Sequence, residues 1–205
     1  MKSGFGPVID NVANTWSLNG IRLWGRQAVE GYVSMTDESK NHLLEILTEL
    51  RAAGVEFIVC GGVAVALHGV ERMTLDLDIS LDLTQQNVRK FLEVMQRLGL
   101  KPRVPVPADI LLDREAVDLI VREKNALVFT FEDRDKPYRH VDVFLTRELA
   151  FEQLARHCHT LTIGGQIISI LNVDKLIELK ERVSPPRAKD VFDIQELRRI
   201  RGGKI

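Results

Sequence analysis

The segment Phe57–Leu81, FIVCGGVAVALHGVERMTLDLDISL, carries the clearest structural signal in this 205-residue chain. Its apolar run ends at Gly61 and Gly62, and thirteen residues then separate Gly62 from Asp76. Asp76 and Asp78 alternate with apolar residues, so a strand would project both carboxylates from the same face. This order predicts a buried strand, a glycine turn that opens a short helix, and a second strand.

Two adjacent carboxylates in an apolar strand indicate a site for a divalent cation. The carboxylates repel each other and lose hydration on burial, and a cation between them offsets both costs. The glycine turn ahead of them can offer backbone N–H groups to a phosphate, and metal with phosphate indicates nucleotide chemistry. Two simpler alternatives stay open at this point, namely a half-exposed edge strand with solvated acids and an ordinary strand-to-helix turn.

Apolar periodicity predicts the remaining elements. Helices are expected over residues 36–53, 84–98, 147–159, 172–181 and 188–200. Strands are expected over residues 55–60, 75–81, 126–131 and 139–145, with a further small hairpin over 161–170. Residues 109–121 are ambiguous between helix and strand, and helix is favoured. Strands that pair around helices and then meet a helical tail are typical of an α+β or mixed α/β fold with one central sheet.

Composition limits the class of protein. With 45% hydrophobic and 28% charged residues, the chain has the balance of a soluble globular protein. A net charge of -1 gives no overall attraction for nucleic acid. Two cysteines cannot build a disulfide framework, and neither a membrane-spanning run nor a signal peptide is evident. We therefore expect a cytoplasmic protein without a membrane partner.

Three segments are predicted along the chain. Residues 1–35 lack clear periodicity and are expected to form an N-terminal arm of uncertain order. Residues 36–146 are expected to form the core, and residues 147–205 a C-terminal hairpin and helices packed on it.

The spacing of the glycines and acids resembles the nucleotidyltransferase superfamily that includes DNA polymerase beta. The matching residues are Gly61 and Gly62, a gap of thirteen, and then Asp76 and Asp78 with apolar neighbours. The resemblance implies a central mixed sheet flanked by helices, with a C-terminal helical extension. It also implies a third carboxylate on a later strand, for which Asp142 in HVDVF is the candidate. A surface role for Asp142 is the alternative, because other acids lie nearby in the preceding turn.

The resemblance also implies a mechanism. Asp76 and Asp78 would bridge two Mg²⁺ ions, and Asp142 would hold the ion that activates the attacking hydroxyl. The hydroxyl oxygen would attack the α-phosphate of a nucleoside triphosphate in line, and pyrophosphate would leave. Gly61 and Gly62 would let backbone donors approach the β- and γ-phosphates.

A narrower resemblance rests on Arg72 and Thr74, just before the acids. An Arg-x-Thr-x-Asp-apolar-Asp sequence is similar to the AbiEii-like minimal nucleotidyltransferases of toxin–antitoxin systems. The C-terminal helices also resemble that group, and the matching residues are Lys180, Arg187, Lys189, Asp190 and Asp193.

The resemblance implies that Arg72, Lys180 and Lys189 contact the triphosphate, with Thr74 at the same site. For the lysines a solvated helix face is the alternative, and Arg72 could instead hold the loop before the acids. Asp190 and Asp193 share one helix face, and we expect them to hold Lys189 or Arg187 rather than a metal.

The residues and the resemblance together predict an Mg²⁺-dependent nucleotidyltransferase that moves a nucleoside monophosphate to a hydroxyl group. The acceptor allowed by the resemblance is a tRNA 3′ end, a partner-protein side chain or a small molecule. A toxin–antitoxin or defence system, with a cognate toxin or antitoxin as partner, is the expected setting. The alternatives are a catalytically silent binding module and a metal-dependent phosphoesterase.

Overall fold

The computed structural model describes residues 37–203. Its strands are β1 (Phe57–Val59), β2 (Asp76–Leu81), β3 (Lys101–Pro102), β4 (Val128–Glu132), β5 (His140–Phe144), β6 (Cys158–Ile163) and β7 (Gln166–Leu171). Its α-helices are α1 (Asp37–Ala52), α2 (Gly61–Leu67), α3 (Gln85–Arg97), α4 (Arg114–Lys124), α5 (Phe151–Leu154), α6 (Val173–Glu181) and α7 (Ala188–Arg201). Short 3-10 helices cover Ala108–Leu112, Arg147–Leu149 and Ala155–His157.

The seven strands form one mixed sheet in the order β3-β4-β5-β2-β1-β7-β6. Strand β2 lies at the centre, antiparallel to β1 and parallel to β5. Strand β7 returns parallel to β1, and β6 pairs antiparallel with β7 at the edge. The predicted central mixed sheet with flanking helices is therefore confirmed.

One face of the central strands is apolar and fully buried. Its residues on β2 and β5 are 0% exposed: Leu77, Ile79, Val141 and Val143. Phe131 of β4, the register partner of Val141, meets Phe91 of α3 with 5.3 Å between ring centroids. Because side chains alternate along a strand, the opposite face carries the polar residues of β2 and β5.

Most predicted elements are present, but the helix expected over residues 147–159 is wrong. The segment divides into two short 3-10 helices around α5, and Cys158 already belongs to β6. Cys158 pairs with Leu171, so the β6–β7 hairpin is longer than the predicted one and takes the end of the expected helix into the sheet. Tertiary pairing outweighs the weak helical pattern here.

The ambiguous stretch over residues 109–121 is helical, as favoured. It contains a 3-10 helix and most of α4, and Asp113 caps α4 by accepting hydrogen bonds from the backbone N–H groups of Glu115 and Ala116.

Three further expectations concern the N-terminal arm, membrane-spanning segments and the division of the chain. The predicted N-terminal arm, residues 1–35, lies outside the described residues. Across residues 37–203, each helix is too short or too polar to serve as a bilayer-spanning segment. The division into a core and a C-terminal segment stays a prediction.

Candidate active site

Three carboxylates meet on the polar face of the central strands. Asp78 on β2 is the register partner of Asp142 on β5, and Asp76 is the partner of His140. Paired residues on neighbouring strands point to the same face of a sheet, so Asp76, Asp78 and Asp142 lie side by side. We call these three residues the acid row. The structure thus brings together the three acids selected from the sequence.

The glycine turn fits closely against the acid row. Gly61 begins α2 with a φ of +55°, in the left-handed region, and a Cβ built there would lie 1.9 Å from Asp78 Oδ2. The backbone N–H of Cys60 donates to the carbonyl oxygen of Asp78 at 2.8 Å. A Cβ at Gly62 would lie 2.6 Å from Thr74 Oγ1. Only glycine leaves room for the acid and for the loop that precedes β2.

Two members of the acid row already have side-chain partners. His140 Nε2 lies 3.0 Å from Asp76 Oδ1, and the Asp76 side chain is 53% exposed. Thr130 of β4 donates its hydroxyl to Asp142 Oδ1 at 2.6 Å. Neither partner was selected from the sequence, although the alternation of Thr130 between two phenylalanines in the strand predicted over residues 126–131 was a usable signal.

The surroundings of Asp78 disfavour the ionised form of its carboxyl group. Burial, followed by the charges of Asp142 and Asp76, raises the pKa of Asp78 to about 6. The backbone N–H of Gly62, hydrogen-bonded to Asp78, and the Lys180 ammonium both act against this rise. A carboxyl group in this state gains from any additional positive charge placed beside it.

The donors of the acid row suit a hard divalent cation in kind, because Mg²⁺ prefers carboxylate oxygens. The side chains do not form a finished ligand set: among the described residues, no three His, Cys, Asp or Glu side chains are arranged to hold a metal ion. Like charges without a cation repel one another, and Asp76 and Asp142 are each turned towards a polar partner. The residues therefore fit a cation by chemistry and strand position, with side chains that must still converge on it.

A second charged group lies beside the acid row. We call it the ion cluster, and it consists of Arg72, Lys180, Arg187, Asp190 and Asp193. Lys180 Nζ lies 2.7 Å from Asp193 Oδ2 and 3.2 Å from Asp190 Oδ1. Arg72 pairs with Asp193, and Arg187 Nε lies 2.5 Å from Asp190 Oδ2. Both aspartates are only 1% exposed.

The predicted phosphate ligands differ in whether they belong to the ion cluster. Asp190 contacts Arg187, as expected, whereas Asp193 contacts Arg72 and Lys180. Lys189 is exposed on α7 and lies outside the cluster. Arg72 holds the loop before the acids through Asp193, which was the alternative given for it.

Comparison with known proteins supports the fold. No protein-family model and no curated protein sequence matches the chain. Among solved structures it is similar to the lincomycin-bound lincosamide antibiotic adenylyltransferase LnuA, with 14% identity, a TM-score of 0.51, and coverage of 81% of this chain and 98% of that one.

Two other solved structures give lower scores. The antibiotic-resistance factor ANT(2'')-Ia has 12% identity over 80% of this chain and 90% of its own, with a TM-score of 0.49. An antigenic nucleotidyltransferase-like protein from Paracoccidioides brasiliensis has 17% identity over 79% of this chain and 76% of its own, with a TM-score of 0.46. On its topology and the likeness to the lincosamide adenylyltransferase, the chain has the nucleotidyltransferase fold that its sequence predicted.

Proposed function

We propose that the protein is a nucleotidyltransferase that moves a nucleoside monophosphate from a nucleoside triphosphate to a hydroxyl group. The observation that carries the proposal is the pairing of Asp78 with Asp142 on adjacent strands, with Asp76 on the same face and Gly61 against Asp78. A cluster of adjacent acids, of which Asp78 and Asp142 are partly buried, beside bare glycines and a cationic group suits a triphosphate and its metal ions better than it suits a structural role.

Asp76, Asp78 and Asp142 would hold Mg²⁺, as two ions in the mechanism implied by the resemblance. When bound, Mg²⁺ supplies charge neutralisation and makes a coordinated hydroxyl more acidic. The chain's own part is to position the acids on rigid strands, with the apolar side chains of β2 and β5 buried on the opposite face. The small turn at Gly61 and Gly62 keeps the space beside Asp78 clear of side chains.

The ion cluster would contact the phosphates. A lysine ammonium has three N–H donors, and Asp190 and Asp193 take two from Lys180, so a third can donate to a phosphate oxygen. Arg72 would act from the loop before β2, where Thr74 lies close to Gly62. Lys189 is a further candidate phosphate contact because its exposed position on α7 leaves its side chain able to reach a ligand.

The acceptor is a hydroxyl on an RNA, a protein or a small molecule. The lincomycin in the similar adenylyltransferase favours a small molecule, whereas the motif at Arg72 and Thr74 favours a toxin–antitoxin or defence setting with a protein or tRNA acceptor. The near-neutral net charge of -1 favours recognition of a specific acceptor over general nucleic-acid binding.

The proposal is tested with nucleoside triphosphates labelled at the α-phosphate, incubated with the protein, Mg²⁺ and fractionated cell extract. We expect label in one fraction of RNA, protein or small molecules, together with release of pyrophosphate. The double variant Asp76→Asn, Asp78→Asn should transfer no label, while Asp118→Asn, in an acid of α4 that pairs with Arg147 at 2.9 Å, should transfer label like the wild type.

Other outcomes identify the alternatives. Release of orthophosphate without transfer would indicate a metal-dependent phosphoesterase. Tight binding to a partner protein with no binding of Mg²⁺ and triphosphate would indicate a silent binding module, the alternative favoured by the lack of a finished ligand set among the described residues. Equal labelling by wild type and double variant would refute the proposed site.

A further inference from the structure

Thr130 carries a buried hydroxyl group on strand β4. It lies on β4 between Phe129 and Phe131, which are 3% and 1% exposed and face the apolar side. Thr130 itself is 9% exposed on the opposite face. Valine has the same shape and the same preference for strands, and a buried hydroxyl costs stability unless it is hydrogen-bonded.

The Thr130 hydroxyl is hydrogen-bonded to a member of the acid row. Thr130 is the register partner of Asp142, which is in turn the register partner of Asp78, so the three side chains form a line across β4, β5 and β2. The Thr130 hydroxyl donates to Asp142 Oδ1 at 2.6 Å, a short distance that is typical of a hydrogen bond to an ionised carboxylate. An ionised carboxylate only accepts, so the direction of this bond is fixed.

The strand holds this hydroxyl in place. Phe131 packs against Phe91 and Phe129, with 5.3 Å between ring centroids in both contacts. The carbonyl oxygen of Thr130 accepts from the backbone N–H of Arg103 at 3.0 Å, which ties β4 to the neighbouring segment. The donor is therefore held by aromatic packing on the apolar face and by a backbone hydrogen bond within the sheet, and it fixes one oxygen of Asp142.

We infer that Thr130 is a positioning residue, whose hydroxyl orients Asp142 to bind a divalent cation together with Asp78. This inference rests on the proposed function, because it assigns Thr130 a part in the same site. Side chains that orient metal ligands in this way affect cation affinity by roughly 10- to 100-fold when they are removed.

The test is direct binding of Mn²⁺ in the presence of a non-hydrolysable nucleoside triphosphate, measured from the electron paramagnetic resonance signal of free Mn²⁺. Thr130→Val keeps the shape and removes the hydroxyl, and we expect its Mn²⁺ affinity to fall about tenfold or more. Thr130→Ser keeps the hydroxyl and should bind within twofold of the wild type.

A matched control removes a different buried hydroxyl from the same face. Ser80 of β2 donates to the carbonyl oxygen of Leu149 at 2.6 Å and does not serve the acid row. Ser80→Ala should therefore leave Mn²⁺ affinity within twofold of the wild type, although it loses a hydrogen bond of the same length. All variants are compared well below their unfolding temperatures, and Thr130→Ala replaces the valine variant should that variant not fold.

The outcomes separate this inference from the proposed function. Wild-type affinity in Thr130→Val, or equal losses in the serine and valine variants, would overturn the positioning role while leaving the nucleotidyltransferase proposal intact. Absence of both Mn²⁺ binding and label transfer in the wild type would overturn the two together. In the transfer assay we expect the valine variant to need more Mg²⁺ for half-maximal rate, a change that a purely structural threonine would not produce.

Discussion

The acid row and the ion cluster are neighbours, but they differ in the charges around their acids. The acids of the ion cluster are paired with cationic side chains, whereas Asp78 in the acid row lies beside other acids. In the ion cluster, two aspartates that are 1% exposed face three cationic side chains. Burial acts to raise the pKa of Asp190, but hydrogen bonds from Arg187 and Lys180 lower it below its usual value. In the acid row, burial and like charges raise the pKa of Asp78 to about 6.

The difference separates a group whose charges are paired within the chain from a group in which Asp78 lies beside other acids. For buried acids that have cationic partners within the chain, the attraction offsets the lost hydration, and removal of a partner destabilises the fold because it leaves an uncompensated charge. A partly buried acid beside other acids, such as Asp78, destabilises the protein without a cation and is stabilised by a cation that binds there. The following predictions test this distinction.

The largest effect on stability is expected from the ion cluster. Asp193→Asn removes the negative charge shared by Arg72 and Lys180 and should reduce the free energy of unfolding by about 3–5 kcal/mol. Urea unfolding measures the loss. The control Asp174→Asn breaks an exposed pair with Arg201 at 3.0 Å, which joins α6 and α7 as the pair of Lys180 and Asp193 does. It should lower the free energy of unfolding by less than about 1 kcal/mol. Equal losses in the two variants would show that burial does not distinguish these pairs.

In the acid row we expect a substitution to raise the free energy of unfolding instead of lowering it. The folded-state pKa of Asp78 lies above the usual 3.8, so the folded protein binds this proton more tightly, and stability falls as pH rises from about 4 to 6. The rise to about 6 corresponds to about 3 kcal/mol at pH 8. Without metal, the free energy of unfolding of Asp78→Asn should therefore exceed that of the wild type at pH 8 by up to about 3 kcal/mol. At pH 4 the two proteins should be about equally stable.

Urea unfolding at the two pH values, with chelator present, checks this prediction. Asp118→Asn provides the control, because that acid is exposed and hydrogen-bonded to Arg147, and its substitution should not stabilise the protein at pH 8. A destabilised Asp78→Asn at pH 8 would mean that Asp78 is compensated within the chain, as Asp190 is.

The smallest effect is steric, at the turn beside Asp78. Gly61→Ala and Gly99→Ala both place a side chain at a left-handed backbone position, with φ values of +55° and +74°. Only the Gly61 variant meets another group, since a Cβ there lies 1.9 Å from Asp78 Oδ2, whereas nothing lies within 4 Å at Gly99. Gly61→Ala should lose about 1–3 kcal/mol more than Gly99→Ala in urea unfolding. Equal losses would show that Asp78 moves aside freely.

Local pattern was sufficient to predict the central strands and the pair Asp76 and Asp78, whereas Asp142 was selected through the resemblance to nucleotidyltransferases. The alternation in β2 and in HVDVF indicates which face each acid takes, and the register that pairs Asp78 with Asp142 comes from the structure. The same alternation, applied to β4, would also have found Thr130.

Long-range packing was beyond the reach of the sequence pattern. Arg72 and Asp193 are 121 residues apart, and their contact depends on how α6 and α7 pack beside the loop before β2. Lys180 and Lys189 have the same chemistry, and only that packing buries the first and exposes the second. The false helix over residues 147–159 has a similar origin, because the β6–β7 pairing determines where Cys158 belongs.

The most direct test of the central claim measures how Mg²⁺ and a non-hydrolysable nucleoside triphosphate change the stability of the protein at pH 8. The acid row predicts that ligands at about 100 times their dissociation constant raise the unfolding free energy of the wild type by about 2.7 kcal/mol. The Asp76→Asn, Asp78→Asn double variant should gain nothing measurable under the same conditions. An equal gain in both proteins, or no gain in either, would contradict the assignment of the acid row as the site of metal-dependent nucleotide chemistry.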